Sequence, residues 1–283
     1  MQHVRLRARR SAIARPLCAT ALALAAVGVL APAAGAAPGA YASTIMAEPS
    51  LTSWWRLGEC GPTAFDWKRG YDGRFGVQVG CDVPGAVGDS DGAADFSGAV
   101  PDQIWGSRVS TPVWFGGNAP YSLEAWVDPR TLDDRSRRIF SAEQSATGGT
   151  LVAAKDTGLV FSRYAKAHTA WRPDAVTGVV GPVAVPADWD TLTVPLATGR
   201  WTHVVATYDG VTMRLWTNGT LAGELPSSLR DRQSGYLTIG ATVRGWLEWD
   251  GRIDEAALYR GPLTARQVAD HHRAGTALAV PAP

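Results

Sequence analysis

The sequence of 283 residues lacks an excess of charge, a cysteine-rich segment and, after its first 36 residues, any apolar run long enough to span a membrane. Its 27 basic residues are balanced by 26 acidic ones, whereas a chain that binds nucleic acid is expected to carry a basic face. Only three cysteines and five histidines are present, and neither Cys60 nor Cys81 has the closely spaced Cys or His partners of a zinc site. These absences argue against a nucleic-acid-binding protein, a zinc module and a membrane-spanning mature chain.

The one long apolar run, residues 17–30, follows a segment with five arginines and no acidic residue. This pattern is typical of a secretory signal peptide, and Ala34-Gly35-Ala36 fits the small-residue motif of its cleavage site. The alternative, a membrane anchor, is disfavoured because the run is shorter than the ~20 residues that cross a bilayer. We therefore predict a signal peptide at residues 1–36 and a secreted mature chain with 22 basic and 26 acidic residues.

Two cysteines remain after removal of the signal, since Cys18 lies inside it. An even pair in an oxidising compartment predicts a disulfide between Cys60 and Cys81. Closing this loop would stabilise the fold by roughly 3 kcal/mol.

Short alternating segments separated by Gly, Pro, Asn and Asp dominate the rest of the sequence. Period-two alternation is clear at residues 121–127, 201–208, 213–217 and 236–239. Asn218-Gly219 is the preferred pair for a two-residue hairpin turn. Many short strands without intervening helices indicate a sandwich or barrel rather than an α/β sheet.

One short helix is predicted near the C-terminus. Thr264 and Gln267 form a capping box, and Gly275 is the expected stop. We predict a linker at residues 37–48, one domain at 49–275 and a disordered tail at 276–283.

Four sequence blocks follow one another in a recognisable order: residues 54–59 (WWRLGE), 84–98 (PGA to AADFSG), 122–127 (SLEAWV), and 201–210 (WTHVVATYDG) continuing to 251–255 (GRIDE). Together they resemble the laminin G-like jelly-roll domains of the concanavalin A-like lectin/glucanase superfamily. The resemblance covers about residues 49–275. It implies an all-β, antiparallel two-sheet jelly-roll sandwich.

The resemblance also implies that the loop after the first strand meets the last long strand, which would bring Asp66 and Asp254 together. Calcium prefers six to eight oxygen ligands from carboxylates and loop carbonyls, and Asp72 is a third candidate ligand. We predict a structural calcium ion here as the candidate cofactor. The alternative is that these carboxylates cap loops and form surface salt bridges.

Twelve tryptophans are present, and those in strand-like segments are expected in the core. Four others lie beside polar or proline-containing sequence: Trp171, Trp189, Trp246 and Trp249. An exposed indole stacks on the apolar face of a pyranose while nearby polar groups bind the hydroxyls. These four are the predicted ligand-binding residues.

The sequence matches catalytic motifs only in part. Gly88-Asp89-Ser90-Asp91-Gly92 matches the G-x-S-x-G pattern, but no strand-to-helix turn surrounds it. Glycoside hydrolysis needs two facing carboxylates, and the adjacent Asp254 and Glu255 would point to opposite faces of a strand. The sequence therefore favours a secreted, non-catalytic module that binds a polysaccharide or glycoconjugate. An extracellular protein-interaction module and an unusual glycoside hydrolase are the alternatives.

Overall fold

The computed structural model describes residues 39–97, 106–115, 118–144, 148–165, 168–173, 180–185, 188–229 and 235–277. The predicted signal peptide and all but the first two residues of the predicted tail lie outside these ranges. Among the described helices, none is long and apolar enough to cross a membrane.

The described residues form eighteen strands and two helices. The strands are β1 (Leu51–Trp55), β2 (Thr63–Ala64), β3 (Gly73–Phe75), β4 (Val79–Pro84), β5 (Gly92–Ser97), β6 (Val109–Trp114), β7 (Tyr121–Pro129), β8 (Arg137–Gln144), β9 (Gly148–Lys155), β10 (Gly158–Ala165), β11 (His168–Pro173), β12 (Val180–Val185), β13 (Asp188–Pro195), β14 (Thr202–Tyr208), β15 (Thr212–Thr217), β16 (Thr220–Pro226), β17 (Tyr236–Ile239) and β18 (Asp250–Arg260). The helices are α1 (Ala40–Met46) and α2 (Ala265–Thr276).

Two antiparallel sheets form the body of the domain, which confirms the predicted fold class. Sheet A has the order β16-β15-β14-β7-β18-β5-β4, and β1 pairs additionally with β18. Sheet B has the order β13-β10-β9-β8-β17-β6-β3-β2. The β11–β12 pair forms a separate two-stranded sheet.

Alternate residues of each strand point into the space between the sheets. In β14, for example, Val204, Ala206 and Tyr208 join the main core, whereas Val205 belongs to a second cluster on the outer face of sheet A. Each fully buried Leu, Val or Phe side chain stabilises the fold by roughly 1.5–3 kcal/mol.

The two helices cover the outer face of sheet A. The sequence predicted only α2, and its capping box is present: Thr264 accepts from the backbone of Gln267, whose side chain binds back to Thr264. The predicted linker instead contains α1, whose Tyr41 and Ile45 are buried in the second cluster. A seven-residue helix is too short to be stable alone, so this packing accounts for it.

Gly275 does not end α2 as predicted, because the helix continues to Thr276. A Cβ at Gly275 would lie 2.5 Å from Cζ2 of Trp126. The glycine is therefore required for the close approach of α2 to the sheet.

The carboxylate of Glu124 connects both helices to sheet A. It is fully buried, and it accepts hydrogen bonds from Tyr41 of α1 and from Tyr259 of β18. His203 and His271 also lie within hydrogen-bonding distance, at 2.8 and 2.9 Å. One side chain thus joins α1, α2 and three neighbouring strands.

The predicted disulfide is confirmed. Cys60 and Cys81 are bonded, with 5.2 Å between their Cα atoms. The bond attaches the loop after β1 to strand β4.

Candidate functional site

A row of side chains crosses the outer face of sheet B from strand to strand. The register pairs Trp114 of β6 with Tyr236 of β17, and it pairs Tyr164 of β10 with both Gly149 of β9 and Trp189 of β13. Gly149 in turn pairs with Glu143 of β8. We call this set the cross-strand row: Trp114, Tyr236, Glu143, Gly149, Tyr164 and Trp189.

The row lies on the outer face because its strand neighbours point inward. Val113, Leu237, Ala142 and Phe161 all belong to the core between the sheets, and successive residues of a strand alternate between faces. Continuing the Thr238–Ser141 pairing of β17 and β8 places Tyr236 opposite Glu143. A Cβ at Gly235 would lie 3.2 Å from the carbonyl oxygen of Glu143, which is consistent with this register.

One end of the row is a stacked aromatic pair. The rings of Tyr164 and Trp189 are 4.1 Å apart and inclined by only 7°. Tyr164 is buried, whereas Trp189 is 51% exposed. Tyr164 covers one face of the indole, and Trp189 therefore presents a flat apolar surface to solvent.

The centre of the row holds that pair in place. The Tyr164 hydroxyl donates to Glu143 at 2.8 Å, across the intervening strand that carries Gly149. Arg138 donates to both oxygens of Glu143, at 2.7 and 3.0 Å, and Ser141 donates at 2.6 Å. Burial disfavours the charged carboxylate, but the hydrogen bond and charge of Arg138 outweigh it and hold the pKa of Glu143 below its ordinary value. The carboxylate is thus an anchor for the tyrosine ring.

The other end is a second aromatic pair. Trp114 and Tyr236 are in edge-to-face contact, with ring centroids 5.2 Å apart at 90°. They are 54% and 51% exposed. Large exposed rings next to polar side chains are typical of ligand-binding surfaces.

The four predicted tryptophans have different environments. Trp189 is part of the row, and Trp246 is 55% exposed on the loop between β17 and β18, near Arg244. Trp249 is completely buried, with its indole N–H donating to the carbonyl of Arg252. The prediction for Trp249 was therefore wrong: it is a core residue. Trp171 lies on β11, and its side chain is outside the described residues.

The sequence interpretation missed Trp114, Tyr164 and Tyr236. A signal was available, because Trp114 alternates with the core residues Val113 and Phe115. The alternation of residues between the two faces of a strand shows which aromatic rings face outward, whereas polar neighbours in the sequence do not.

Asp66 is a loop cap. Its Oδ1 accepts from the backbone N–H groups of Trp54 and Lys68, and its Oδ2 accepts from those of Gly70 and Tyr71. Asp72 in turn accepts from the backbone N–H of Asp66. Asp66 and Asp72 do not belong to the carboxylate group that contains Asp254 in the described part of the chain, and the four backbone donors account for the position of Asp66.

Asp254 instead lies with Asp91 and Glu255. One oxygen from each of the three lies within 4.8 Å of the others. Oδ2 of Asp254 accepts from Ala86, whereas its buried Oδ1 has no hydrogen-bond partner among the described residues. Burial raises the pKa of Asp254 well above its ordinary value, and Asp91 adds to this effect.

Arg56 provides the counter-charge of this acidic cluster. Its guanidinium pairs with Asp91 at 3.1 Å, with Glu255 at 3.0 Å and with Asp89. One cation faces four carboxylates, and the unpartnered Asp254 oxygen adds a hard ligand atom, so the donor set fits calcium. Asp89 and Asp91 come from the G-x-S-x-G match, which is a loop leading directly into β5.

Several solved structures have a similar fold. Domain 4 of an extracellular arabinanase from Geobacillus stearothermophilus, solved with arabinotriose, is 18% identical with a TM-score of 0.51, covering 79% of this chain and 98% of that domain. The botulinum neurotoxin type G receptor binding domain is 12% identical with a TM-score of 0.55, covering 79% and 51%. The binding domain of Paraclostridial Mosquitocidal Protein 1 is 13% identical with a TM-score of 0.54, covering 78% and 52%.

The chain thus spans about half the length of these two binding domains. No curated protein matches the sequence. A family model described as the concanavalin A-like lectin/glucanases superfamily, of laminin G type, matches residues 106–269, more than half of the chain. The chain therefore belongs to the concanavalin A-like lectin/glucanases superfamily.

Proposed function

We propose that this protein is an extracellular, non-catalytic module that binds a polysaccharide or glycoconjugate on the outer face of sheet B. The observation that carries the proposal is the cross-strand row, which has exposed rings at each end: Trp114 and Tyr236 at one end and Trp189, stacked on the buried Tyr164, at the other. Flat rings stack on the apolar faces of sugars, and neighbouring polar groups bind the hydroxyls.

Hydrogen bonds and ring stacking position the Trp189 end of the site without a ligand. Glu143 and Arg138 fix Tyr164, and Tyr164 supports Trp189. Preorganised side chains lose little conformational entropy on binding, which strengthens the affinity of an otherwise shallow site. The arabinanase domain solved with arabinotriose is consistent with a sugar ligand on this fold. At 18% identity that likeness concerns the fold alone, so the proposal depends on the row.

The predicted signal peptide and the Cys60–Cys81 disulfide support an extracellular location. A structural calcium ion is part of the same proposal. Its ligands would include Asp91, Asp254 and Glu255, which join the loop before β5 to strand β18. The ion would supply positive charge that Arg56 alone does not provide.

The first prediction tests the sugar site. Trp189→Ala should weaken binding to a responsive polysaccharide at least tenfold, about 1.4 kcal/mol, because it removes the exposed stacking surface. Affinity gel electrophoresis and calorimetry against a panel of polysaccharides measure this.

Trp67→Ala is the matched control, since Trp67 is 49% exposed but lies in the loop between β2 and β3 and is not a predicted ligand-binding residue. It should leave the affinity unchanged. Absence of binding to every glycan by the wild type, or equal affinity of Trp189→Ala and wild type, would contradict the proposal. Capture of an extracellular protein through the same face would then favour the interaction-module alternative.

A further inference from the structure

We infer that a pocket beside the Trp114 end of the cross-strand row binds the carboxylate of an acidic sugar, and that the ligand class of this end is therefore a polyuronate. This inference rests on the proposed function and specifies the ligand. It follows from the two arginines that line the pocket, from the charges around them and from the open path along β6 between the pocket and Trp114.

The pocket lies where the connection from β3 to β4 meets the first residues of β6. Its volume is about 300 Å³, which is at the lower end of the range for ligand sites. Arg74 pairs with Ser110 in the register of β3 and β6, and the backbone N–H of Gly76 donates to the carbonyl of Arg108 at 2.8 Å. The backbone thus holds two arginines beside one pocket. The described residues that line it are Arg74, Phe75, Gly76, Val77, Arg108 and Ser110.

The side chains of the pocket suit a carboxylate. The described lining residues include two arginines and no acidic residue. Arg108 is buried, and its Nε donates to Oγ of Ser110 at 2.9 Å, which orients the guanidinium. Arg74 is exposed. The planar N–H fork of a guanidinium matches the two oxygens of a carboxylate, so an acidic sugar would gain charge-assisted hydrogen bonds that a neutral sugar lacks.

The surroundings of the pocket carry more positive than negative charge. Glu248, in the loop before β18, interacts with the charges of Arg108, Arg137 and Arg135. Asp133 forms salt bridges with Arg135 and Arg137. Burial lowers the pKa of Arg108, and Glu248 offsets this effect only in part. Two carboxylates therefore face three arginines, and the exposed arginine of the pocket adds a fourth cation.

An exposed path joins the pocket to the aromatic pair of Trp114. Val109 and Val113 of β6 face the core. Ser110, Pro112 and Trp114 therefore lie on the outer face, where the serine is half-buried and the other two are exposed. Four residues of a strand span at most about 13 Å. A short oligosaccharide along β6 can therefore stack one sugar on the rings and place the carboxylate of another in the pocket, without crossing the buried centre of the row.

The test compares the same polymer with and without its carboxylates. Polygalacturonate and alginate are each converted to a neutral polymer by chemical reduction of their carboxyl groups. The full mature chain should bind the better of the two polyuronates at least tenfold more tightly than its carboxyl-reduced form, measured by affinity electrophoresis and calorimetry. Dextran sulfate, a polyanion without uronate sugars, should bind more weakly than that polyuronate.

Arg74→Gln tests the pocket itself. It should reduce the preference for the polyuronate to less than twofold, while the affinity for the carboxyl-reduced polymer changes less than twofold. Arg266→Gln is the matched control, because it removes the same charge from an exposed arginine on α2. This control should keep the tenfold preference. Thermal melting checks that both variants are folded.

Trp114→Ala connects the pocket to the row. It should weaken binding of the polyuronate and of its carboxyl-reduced form by similar factors, because the ring contacts a sugar whether or not that sugar is charged. The preference for the polyuronate should therefore remain in this variant.

Equal affinity for the polyuronates and their carboxyl-reduced forms, tighter binding of dextran sulfate, or equal loss of the preference in Arg74→Gln and Arg266→Gln overturns the inference and leaves the proposed function standing. Complete absence of glycan binding overturns the proposed function and the inference together.

Discussion

Gly149 illustrates how one residue shapes the candidate site. Its position in β9 lies against the β8 backbone, and the neighbouring Tyr164 of β10 donates across it to Glu143. A glycine within a strand often marks such a close approach of a neighbouring backbone. Stability and ligand binding should therefore both depend on this glycine.

We predict that Gly149→Ala lowers the free energy of unfolding by about 1–3 kcal/mol, because the new methyl group meets backbone atoms of Ala142 and Glu143 that cannot easily move. Urea denaturation measures the change. Gly61→Ala is the control, since a Cβ there has no neighbour within 4 Å. Equal stability of the two variants would show that the space above Gly149 is not needed.

The acidic cluster allows a second prediction at this scale. Calcium should raise the melting temperature of the wild type by about 5–10 °C over a chelator, given saturation at 100 times the dissociation constant. Asp254→Asn should remove this difference by replacing the buried carboxylate.

Asp66→Asn distinguishes the two acidic positions. It should lower the melting temperature with or without calcium, because it weakens the four backbone hydrogen bonds of the loop cap. The rise in melting temperature caused by calcium should remain in this variant. A wild type that melts at one temperature under both conditions would rule out a structural ion.

At the scale of elements, α1 and α2 depend on a buried charge network. His271 lies between Glu124, at 2.9 Å, and Glu48, at 3.2 Å. Burial alone would lower its pKa, but the two carboxylates outweigh burial and raise the pKa of His271 to about 9. The protonated imidazolium therefore contributes to docking of α2.

The sign of the resulting pH dependence follows from this shift. A histidine whose pKa is raised in the folded state contributes its full stabilisation at pH values below its pKa in the unfolded chain, which is near 6.5. That stability decreases as pH rises through about 9. The pKa of Glu124 is lowered, because the interactions with His271 and His203 outweigh burial. Its charged form therefore stabilises the fold at pH values above the ordinary pKa of a glutamate, and this stabilisation is lost in acid.

We therefore predict that the free energy of unfolding falls between pH 6.5 and pH 9. His271→Gln should flatten this part of the profile, while His272→Gln, on the same helix, should keep the slope. Urea titrations at intervals of half a pH unit provide the measurement. A wild-type profile that stays level across this window would contradict the role of His271.

At the scale of the molecule, the Cys60–Cys81 bond connects the loop after β1 to an edge strand of sheet A. Replacing both cysteines by serine should lower the free energy of unfolding by roughly 3 kcal/mol, through loss of the constraint on the unfolded chain. Treatment of the wild type with reductant should reproduce the effect, and it should have no further effect on the double variant. Two free thiols in the untreated protein would contradict the bond.

The sequence predicted what depends on local pattern. The alternation in β7 and β14, the capping box of α2 and the cysteine pair are all visible over a few residues. The site depended on contacts between distant segments. Asp91 meets Asp254 across more than 160 residues, and Trp249 is buried although its neighbours are polar. Helix α1 forms because Tyr41 reaches Glu124, a contact that no local pattern records.

The positions of α1 and α2 have a consequence for how the module is presented. Both helices lie on the outer face of sheet A, whereas the cross-strand row lies on the outer face of sheet B. Residues 39 and 277, where the described chain begins and ends, are therefore on the side away from the aromatic rings. A fused domain or a solid support attached near either residue would lie on the side of sheet A and leave the aromatic rings on sheet B accessible to solvent.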